Sequence, residues 1–206
     1  MIELFGDVTG NCIRAAIALE ESGLPHRLRK VDLKTGEQRG ADYLQLNPVG
    51  RVPAIVDDDG PGGGRFVLTQ SNAILMYVSE RSGRLLPKND AGRASAFEWL
   101  FLFVTDVIAP NHQAFHLTRA LGADRAPAVA DELNRRALGM YALVDNRLGK
   151  YEFLAGESLS IADIAGYTIT AALTNHLVWE QLPHVQRWFA NLAGRRGFQR
   201  GMTAFR

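Results

Sequence analysis

Residues 43–54 read Tyr43-Leu44-Gln45-Leu46-Asn47-Pro48-Val49-Gly50-Arg51-Val52-Pro53-Ala54, and this stretch decides the fold. Asn47-Pro48 and Gly50 signal a turn. Val52-Pro53 then stands at the mouth of an apolar run, Ala54-Ile55-Val56, which Asp57-Asp58-Asp59-Gly60 closes. Proline lacks the N–H that a strand ladder needs, so it belongs at a strand start or an edge. In the cis form this turn exposes the Val52 N–H and C=O to an extended, peptide-like ligand. In the commoner trans form it is a plain strand entry.

On the N-terminal side, Ile2 to Phe5 reads as a short strand. Asn11 to Ser22 carries apolar residues at helical spacing and ends at Gly23, and Arg27 to Leu33 alternates basic and apolar residues as a strand does. On the C-terminal side, Gly60 to Gly64 forms a hairpin turn, Phe66 to Leu68 returns as a strand, and Gln70 to Glu80 is helical. The order is β-α-β, a connector, then β-β-α. Past Gly83 the character changes. Arg84 to Asp90 has linker composition, and four helical stretches follow: Ala91 to Leu121, Arg125 to Leu148, Ile161 to Asn175 and Pro183 to Leu192. The fold class is therefore α/β plus all-α, with a first domain at 1–81, a linker at 82–90 and a helical domain at 91–206.

The 206 residues are 47% apolar and 22% charged, the balance of an ordinary globular chain. A net charge of +1 gives no argument for nucleic acid or an anionic membrane surface. A single cysteine, Cys12, rules out an internal disulfide and a cysteine-rich metal cluster. With no signal-peptide pattern behind Met1 and no apolar run of spanning length, the expected compartment is the reducing cytoplasm.

Two loop-to-helix junctions carry chemistry. Thr9-Gly10-Asn11-Cys12 opens the first helix, where unpaired N–H groups and a partial positive charge stabilise a thiolate. Thr9 or Asn11 serves equally well as a simple helix cap. Thr69-Gln70-Ser71-Asn72 opens another helix, where backbone amides, the Ser71 hydroxyl and the Gln70 amide make an anion site or, again, a cap. His112 and His116 share a helix face. With no Glu between them and no third ligand, they read as pocket-wall or surface residues, and no metal is expected. Pro110, inside the same helical stretch, should kink it. Ser160-Ile161-Ala162-Asp163 is a capping box, flanked by Leu159 and Ile164 at the staple positions.

The order of elements, together with Ile17-Ala18-Leu19-Glu20-Glu21-Ser22-Gly23-Leu24-Pro25, the 43–54 stretch, and Gln70-Ser71 followed by Ala73-Ile74, resembles the cytosolic glutathione transferases along nearly the whole chain. The resemblance implies a thioredoxin-like, glutathione-binding first domain and an all-helical second one. It makes Val52-Pro53 the family's cis-proline turn and Ser71 the holder of the glutathione γ-glutamyl carboxylate, with Gln38, Arg51, Val52, Pro53 and Gln70 completing the glutathione site. It gives Asp163 a structural role. Laid over the Cys-x-x-Cys of glutaredoxins, Thr9 falls at the attacking cysteine and Cys12 at its partner, so the reactive sulfur is borrowed from glutathione, with Thr9 donating to its thiolate.

The catalytic candidates are Thr9, Asn11 and Cys12, with Cys12 either buried and inert or activated by the helix terminus. Beta-class members place a cysteine where this chain has Asn11. Thr9, Asn11 and Gly36-Glu37-Gln38 match the nu class better, although Gly10 replaces that class's proline. The resemblance also implies a second-substrate pocket against Phe103, Asp106, Val107, His112 and Phe115, and a homodimer with Tyr43 and the helices 70–80 and 91–121 near its interface. The expected partner is a small hydrophobic electrophile, conjugated in a detoxifying reaction. The alternatives are a small disulfide or peroxide reduced at the expense of glutathione, and a non-catalytic assembly or stress-regulation module.

Overall fold

Four strands form one sheet in the order β2-β1-β3-β4, with β1 at Ile2–Gly6, β2 at His26–Lys30, β3 at Ala54–Asp57 and β4 at Phe66–Thr69. The coordinates, a computed structural model, describe residues 1–122 and 127–206. β1 and β2 run parallel, joined through helix α1 (Gly10–Ser22), while β3 is antiparallel to both β1 and β4. The register has a functional consequence. Gly6 pairs with Lys30, Phe5 with Ala54, and Ala54 with Thr69. The chain therefore leaves β1, β2 and β4, and enters β3, at the same end of the sheet. The segments carrying Thr9, Gln38, Val52-Pro53 and Gln70-Ser71 all start there.

Alternation along the strands gives the sheet two apolar faces. Phe5, Ala54 and Val56 point one way and form a core with Val31 and Tyr43. Ile2, Leu4 and Ile55 point the other way and are buried, as are Ile17 and Leu19 of α1 and Ile74, Leu75 and Val78 of helix α3 (Ser71–Ser82). α1 and α3 pack against each other. The outer strand β2 is mostly exposed and charged, which protects a free edge from pairing. The connector holds a short 3₁₀ turn at Glu37–Arg39 and the four-residue helix α2 (Ala41–Leu44), both too brief to leave a periodic pattern.

The chain forms two compact units, Met1–Leu85 with Ala193–Arg206, and Leu86–Leu192. The expected helical domain at 91–206 is thus divided. Gly197 and Gly201, one helical turn apart in the last helix (Arg196–Met202), allow close approach to α1: a Cβ on Gly201 would lie 2.8 Å from the Ile17 backbone. Arg195 and Arg200 pair with Glu21 and Glu20 of α1 and hold the segment there.

The second unit contains helices α4 (Asp90–Leu102), α5 (Ala109–Leu121), α6 (Pro127–Gly139), α7 (Tyr141–Leu148), α8 (Ile161–Leu173) and α9, which spans Pro183–Ala193 and runs into the first unit at its last residue; the terminal Arg196–Met202 helix is α10. The single helix expected over 91–121 is interrupted by a π-helical turn at Phe103–Ile108. Pro110 has no N–H to give the Asp106 carbonyl and its ring crowds that carbonyl, so the turn before it widens. The expected start of the next helix at Arg125 lies outside the described residues. Asp163 is fully buried at the start of α8, and its carboxylate accepts from the Leu154 N–H, the Ser160 N–H and hydroxyl, and the Trp188 indole N–H at 2.8–2.9 Å. The capping box read from the sequence is in place.

Candidate functional site

The first site residue is set by the turn between β1 and α1. Asp7 organises it, accepting from the Val8 N–H at 2.8 Å and the Leu33 N–H at 3.1 Å. Thr9 then takes an extended conformation as N-cap of α1, and its hydroxyl accepts from the Cys12 N–H at 3.3 Å. Half-buried Thr9 and Asn11 thus sit at the positive end of a 13-residue helix.

Cys12 has no exposed surface. Its thiol receives the Thr9 hydroxyl at 3.1 Å, and burial pushes its pKa from 9.0 up to about 11. Gly6 makes room for it: a Cβ there would lie 2.9 Å from Cys12 Cβ and 2.7 Å from the Phe205 ring. Of the two readings of Cys12, the geometry matches the buried, protonated one.

The second segment is the Val52-Pro53 turn, and its peptide bond is cis. The carbonyl just before it, that of Arg51, accepts from the Tyr43 hydroxyl at 2.8 Å and from Asn47 Nδ2 at 2.6 Å. Two side chains from the preceding turn therefore fix this loop. Pro53 is buried, Val52 packs against the Phe5–Tyr43 core, and the Arg51 side chain is exposed. Tyr43 is only 5% exposed, and its side chain packs in the core with Phe5, Val31, Ala54 and Val56. Gly50, with positive φ, lies against the Gln38 carbonyl, which brings Gln38 to the same loop.

The third segment is Gln70-Ser71. Gln70 has φ 71° and ψ 112°, a strained backbone for a residue with a side chain. Strain of this kind survives where surrounding structure over-determines it, and functional sites are where it collects. Ser71 opens α3, is buried, and accepts from Arg14 Nη1 at 2.9 Å; the same nitrogen donates to Asn11 Oδ1 at 3.0 Å. Sequence reasoning missed Arg14, whose place inside the apolar face of α1 was its one visible signal. Among the described residues two buried side-chain acceptors have no hydrogen-bond partner, Gln38 Oε1 and Asn72 Oδ1. Both lie on segments leaving this end of the sheet.

The residues expected to line a second pocket lie in the other unit. Phe103 and Val107 are fully buried there, Phe103 edge-on to Tyr141 and pressed to Gly166, so both are core. Asp106, His112 and Phe115 are exposed. His112 and His116 share a hydrogen bond at 2.9 Å between their Nε2 atoms. No group of three or more metal-binding side chains occurs among the described residues. A separate cavity of about 650 Å3, lined by Phe5, Arg29, Ala41, Tyr43, Leu46 and Arg65, includes none of the expected site residues. The converging loops, with their strained backbone, fixed turn and orphaned acceptors, are the better candidate.

The chain matches the family models for the glutathione S-transferase N-terminal domain over residues 10–81 and the C-terminal domain over residues 104–196. It is 32% identical to the disulfide-bond oxidoreductase YfcG of Escherichia coli over 95% of this chain and 91% of that protein. It is 30% identical to the glutathione S-transferase GstB of the same species, over 95% and 94%. A glutathione transferase from Burkholderia graminis, solved with two glutathione molecules bound per subunit, superposes with a TM-score of 0.90 at 28% identity, covering 98% of this chain and 88% of that one. By sequence, by domain order and by the register that gathers its site loops, this chain belongs to the glutathione S-transferase family.

Proposed function

We propose that the chain is a glutathione-dependent enzyme that binds glutathione at the converging loops of its first unit and activates the thiol for attack on a small hydrophobic electrophile. The observation that carries this is the convergence of the Thr9 cap, the cis Val52-Pro53 turn and Ser71 at one end of one sheet. Glutathione is an extended peptide with a thiol, two carboxylates, an ammonium and two amide N–H groups. Its cysteinyl backbone suits the open N–H and C=O of Val52. Its γ-glutamyl carboxylate suits the N-terminus of α3 at Ser71. The thiol then falls to Thr9, whose hydroxyl donates to the thiolate beside the α1 terminus. Lowering a thiol pKa by two units takes about 2.7 kcal/mol, within reach of one charge-assisted hydrogen bond plus the helix terminus.

A second reading is supported by the similarity to YfcG and by the buried Cys12. Here two glutathiones reduce a small disulfide. The first thiolate attacks one sulfur and releases a thiol, leaving a mixed disulfide. The second thiolate displaces the other thiol and leaves glutathione disulfide. The protein supplies no sulfur, which fits a single buried cysteine.

Wild type, Thr9→Ala and Cys12→Ser assayed in parallel with an aryl halide and a small disulfide decide between these readings. Preference for the halide supports conjugation, and preference for the disulfide supports reduction. Turnover of neither, with glutathione still bound, would leave a non-catalytic binding module. Full activity in Thr9→Ala would refute its role. We further propose a homodimer using α3, α4 and α5, supported by the exposed Phe101 and Phe115, and checked by the mass in solution at micromolar concentration. A cytoplasmic location accords with a need for reduced glutathione.

A further inference from the structure

Arg14 is 2% exposed and joins the first turn of α1 to the first turn of α3, across 57 residues of sequence. Its contacts have a direction. A guanidinium has only donors. Asn11 must therefore turn its carbonyl Oδ1 inward to Arg14 and its NH2 the other way. Ser71 must accept from Arg14 with an oxygen lone pair, which leaves its O–H to donate elsewhere. The acceptor that this hydroxyl meets in the structure, Asn11 Oδ1, is 3.4 Å away and already held by Arg14 at 3.0 Å. A carboxylate oxygen at the α3 terminus would be a closer and stronger partner. Burial lowers the Arg14 pKa to about 10, so the guanidinium is still charged at neutral pH and adds a positive potential behind the same spot.

We propose that Arg14 is a positioning residue for the glutathione site, fixing the hydrogen-bond polarity of Ser71 and Asn11 so that Ser71 presents a donor to the γ-glutamyl carboxylate and Asn11 presents its amide NH2 outward. This rests on the glutathione reading of the site and adds a residue that touches no substrate atom. Without Arg14, the Ser71 hydroxyl and the Asn11 amide are free to rotate and to satisfy each other. The anion site is then present in composition and lost in orientation.

The test compares glutathione with γ-aminobutyryl-cysteinyl-glycine, which lacks the γ-glutamyl α-carboxylate but keeps the amine, and with glutaryl-cysteinyl-glycine, which lacks the amine but keeps the carboxylate. Dissociation constants are measured for wild type, Ser71→Ala, Arg14→Met and Arg14→Lys, with thermal melts alongside. Wild type should hold the two carboxylate-bearing ligands more tightly than the third by about 10- to 100-fold, the size of one hydrogen bond to a charged group. Arg14→Met should lose most of that preference while binding the carboxylate-free ligand within about twofold of wild type. Arg14→Lys, whose ammonium reaches one acceptor at a time, should keep part of it. The double variant Ser71→Ala/Arg14→Met should be no worse than either single one, because both act on one contact.

A merely structural Arg14 would weaken all three ligands alike, which overturns the proposal, as does unchanged preference in either Arg14 variant. If Arg14→Met does not fold, Arg14→Lys carries the comparison on the same criterion. Absence of any carboxylate preference in wild type is a different failure: it removes Ser71 from the carboxylate and sinks the underlying reading of the site.

Discussion

The Thr9 hydroxyl lies 3.1 Å from the Cys12 thiol, and its oxygen accepts the Cys12 N–H at 3.3 Å. The fourth residue of the loop thus secures the cap that the first provides. Cys12 stands where a redox dithiol would have its partner cysteine, but burial outweighs the Thr9 hydrogen bond and the Arg14 charge and favours the neutral thiol.

Cys12 should therefore resist alkylation. With its pKa raised to about 11 from 9.0, the folded thiol at pH 8 should react with iodoacetamide at least about 100-fold more slowly than free cysteine, the factor that two pKa units imply. The same shift links to stability. The unfolded thiol ionises near 9.0 and the folded one near 11, so the contribution is fully present below pH 9 and is lost as pH rises between those values. Denaturant titrations at pH 8 and 11 should differ in this direction for wild type and less for Cys12→Ala. Rapid labelling of the native protein at pH 8 would contradict the assignment.

Thr9 should carry both a structural and a chemical load. Thr9→Ala removes the N-cap oxygen of α1, at about 1 kcal/mol of stability, and the proposed donor to the glutathione sulfur. Loss of the full two units of acidification, for a thiol ordinarily near 8.5, would lower the thiolate fraction about 25-fold at pH 7, and the α1 terminus keeps part of it. The expected result is a fall in kcat/KM at pH 7 of about 10-fold and no more than about 25-fold, with a pH profile displaced upward. Thr9→Ser keeps the hydroxyl and should keep most of the activity. The thiolate absorbance of bound glutathione, titrated against pH, checks the shift directly.

Much of this arrangement was legible in the sequence because it rests on short-range signals. Strand alternation, Gly23 as a helix stop, Val52-Pro53 at a strand mouth and the Ser160–Asp163 box each declare themselves within a few residues. What stayed hidden is long-range. Arg14 looked like a stray charge on an apolar helix face, since its acceptor Ser71 is 57 residues away. Gln70 carries no composition signal for a positive φ, because the strain is imposed from outside. The return of residues 193–206 to the first unit depends on Gly197 and Gly201 meeting α1, and a small-residue spacing names no partner. Phe103 and Val107 are placed at a pocket wall by the resemblance alone, and their burial puts them in the core of the helical unit.

The Arg51 carbonyl offers a test of the turn without touching its proline. Tyr43→Phe removes one of its two donors and Asn47→Ala the other. The Tyr43 hydroxyl is partly buried in an apolar setting, so Tyr43→Phe should cost about 1 kcal/mol, one hydrogen bond with little rearrangement. Asn47→Ala should cost more, about 1–3 kcal/mol, because Asn47 is buried and its Oδ1 also holds the Val49 N–H at 3.2 Å. Both variants loosen the backbone proposed to meet the cysteinyl residue of glutathione. KM for glutathione should rise with kcat nearly unchanged. A drop in kcat at constant KM would mean that the turn acts on the chemical step instead.

Asp163 should separate folding from chemistry. Its buried carboxylate accepts four hydrogen bonds, including the backbone N–H of Leu154 and the indole N–H of Trp188. Burial pushes its carboxyl pKa up, and those four donors pull it back. Asp163→Ala leaves these donors without a partner in a dry site and opens space beside Trp188. A loss of about 3–5 kcal/mol is expected, in the range for breaking a buried polar network. Asp163→Asn keeps one acceptor oxygen but turns an NH2 toward N–H donors, so it should recover only part of the loss. Because the residue and all the hydrogen-bond partners of its carboxylate lie in the second unit, kcat/KM per folded molecule should stay within about twofold of wild type at a temperature where the variant is folded. Active-site titration on the folded fraction, combined with a urea transition, measures both quantities. A large fall in activity per folded molecule with unchanged stability would place Asp163 in the chemistry and remove it from the scaffold.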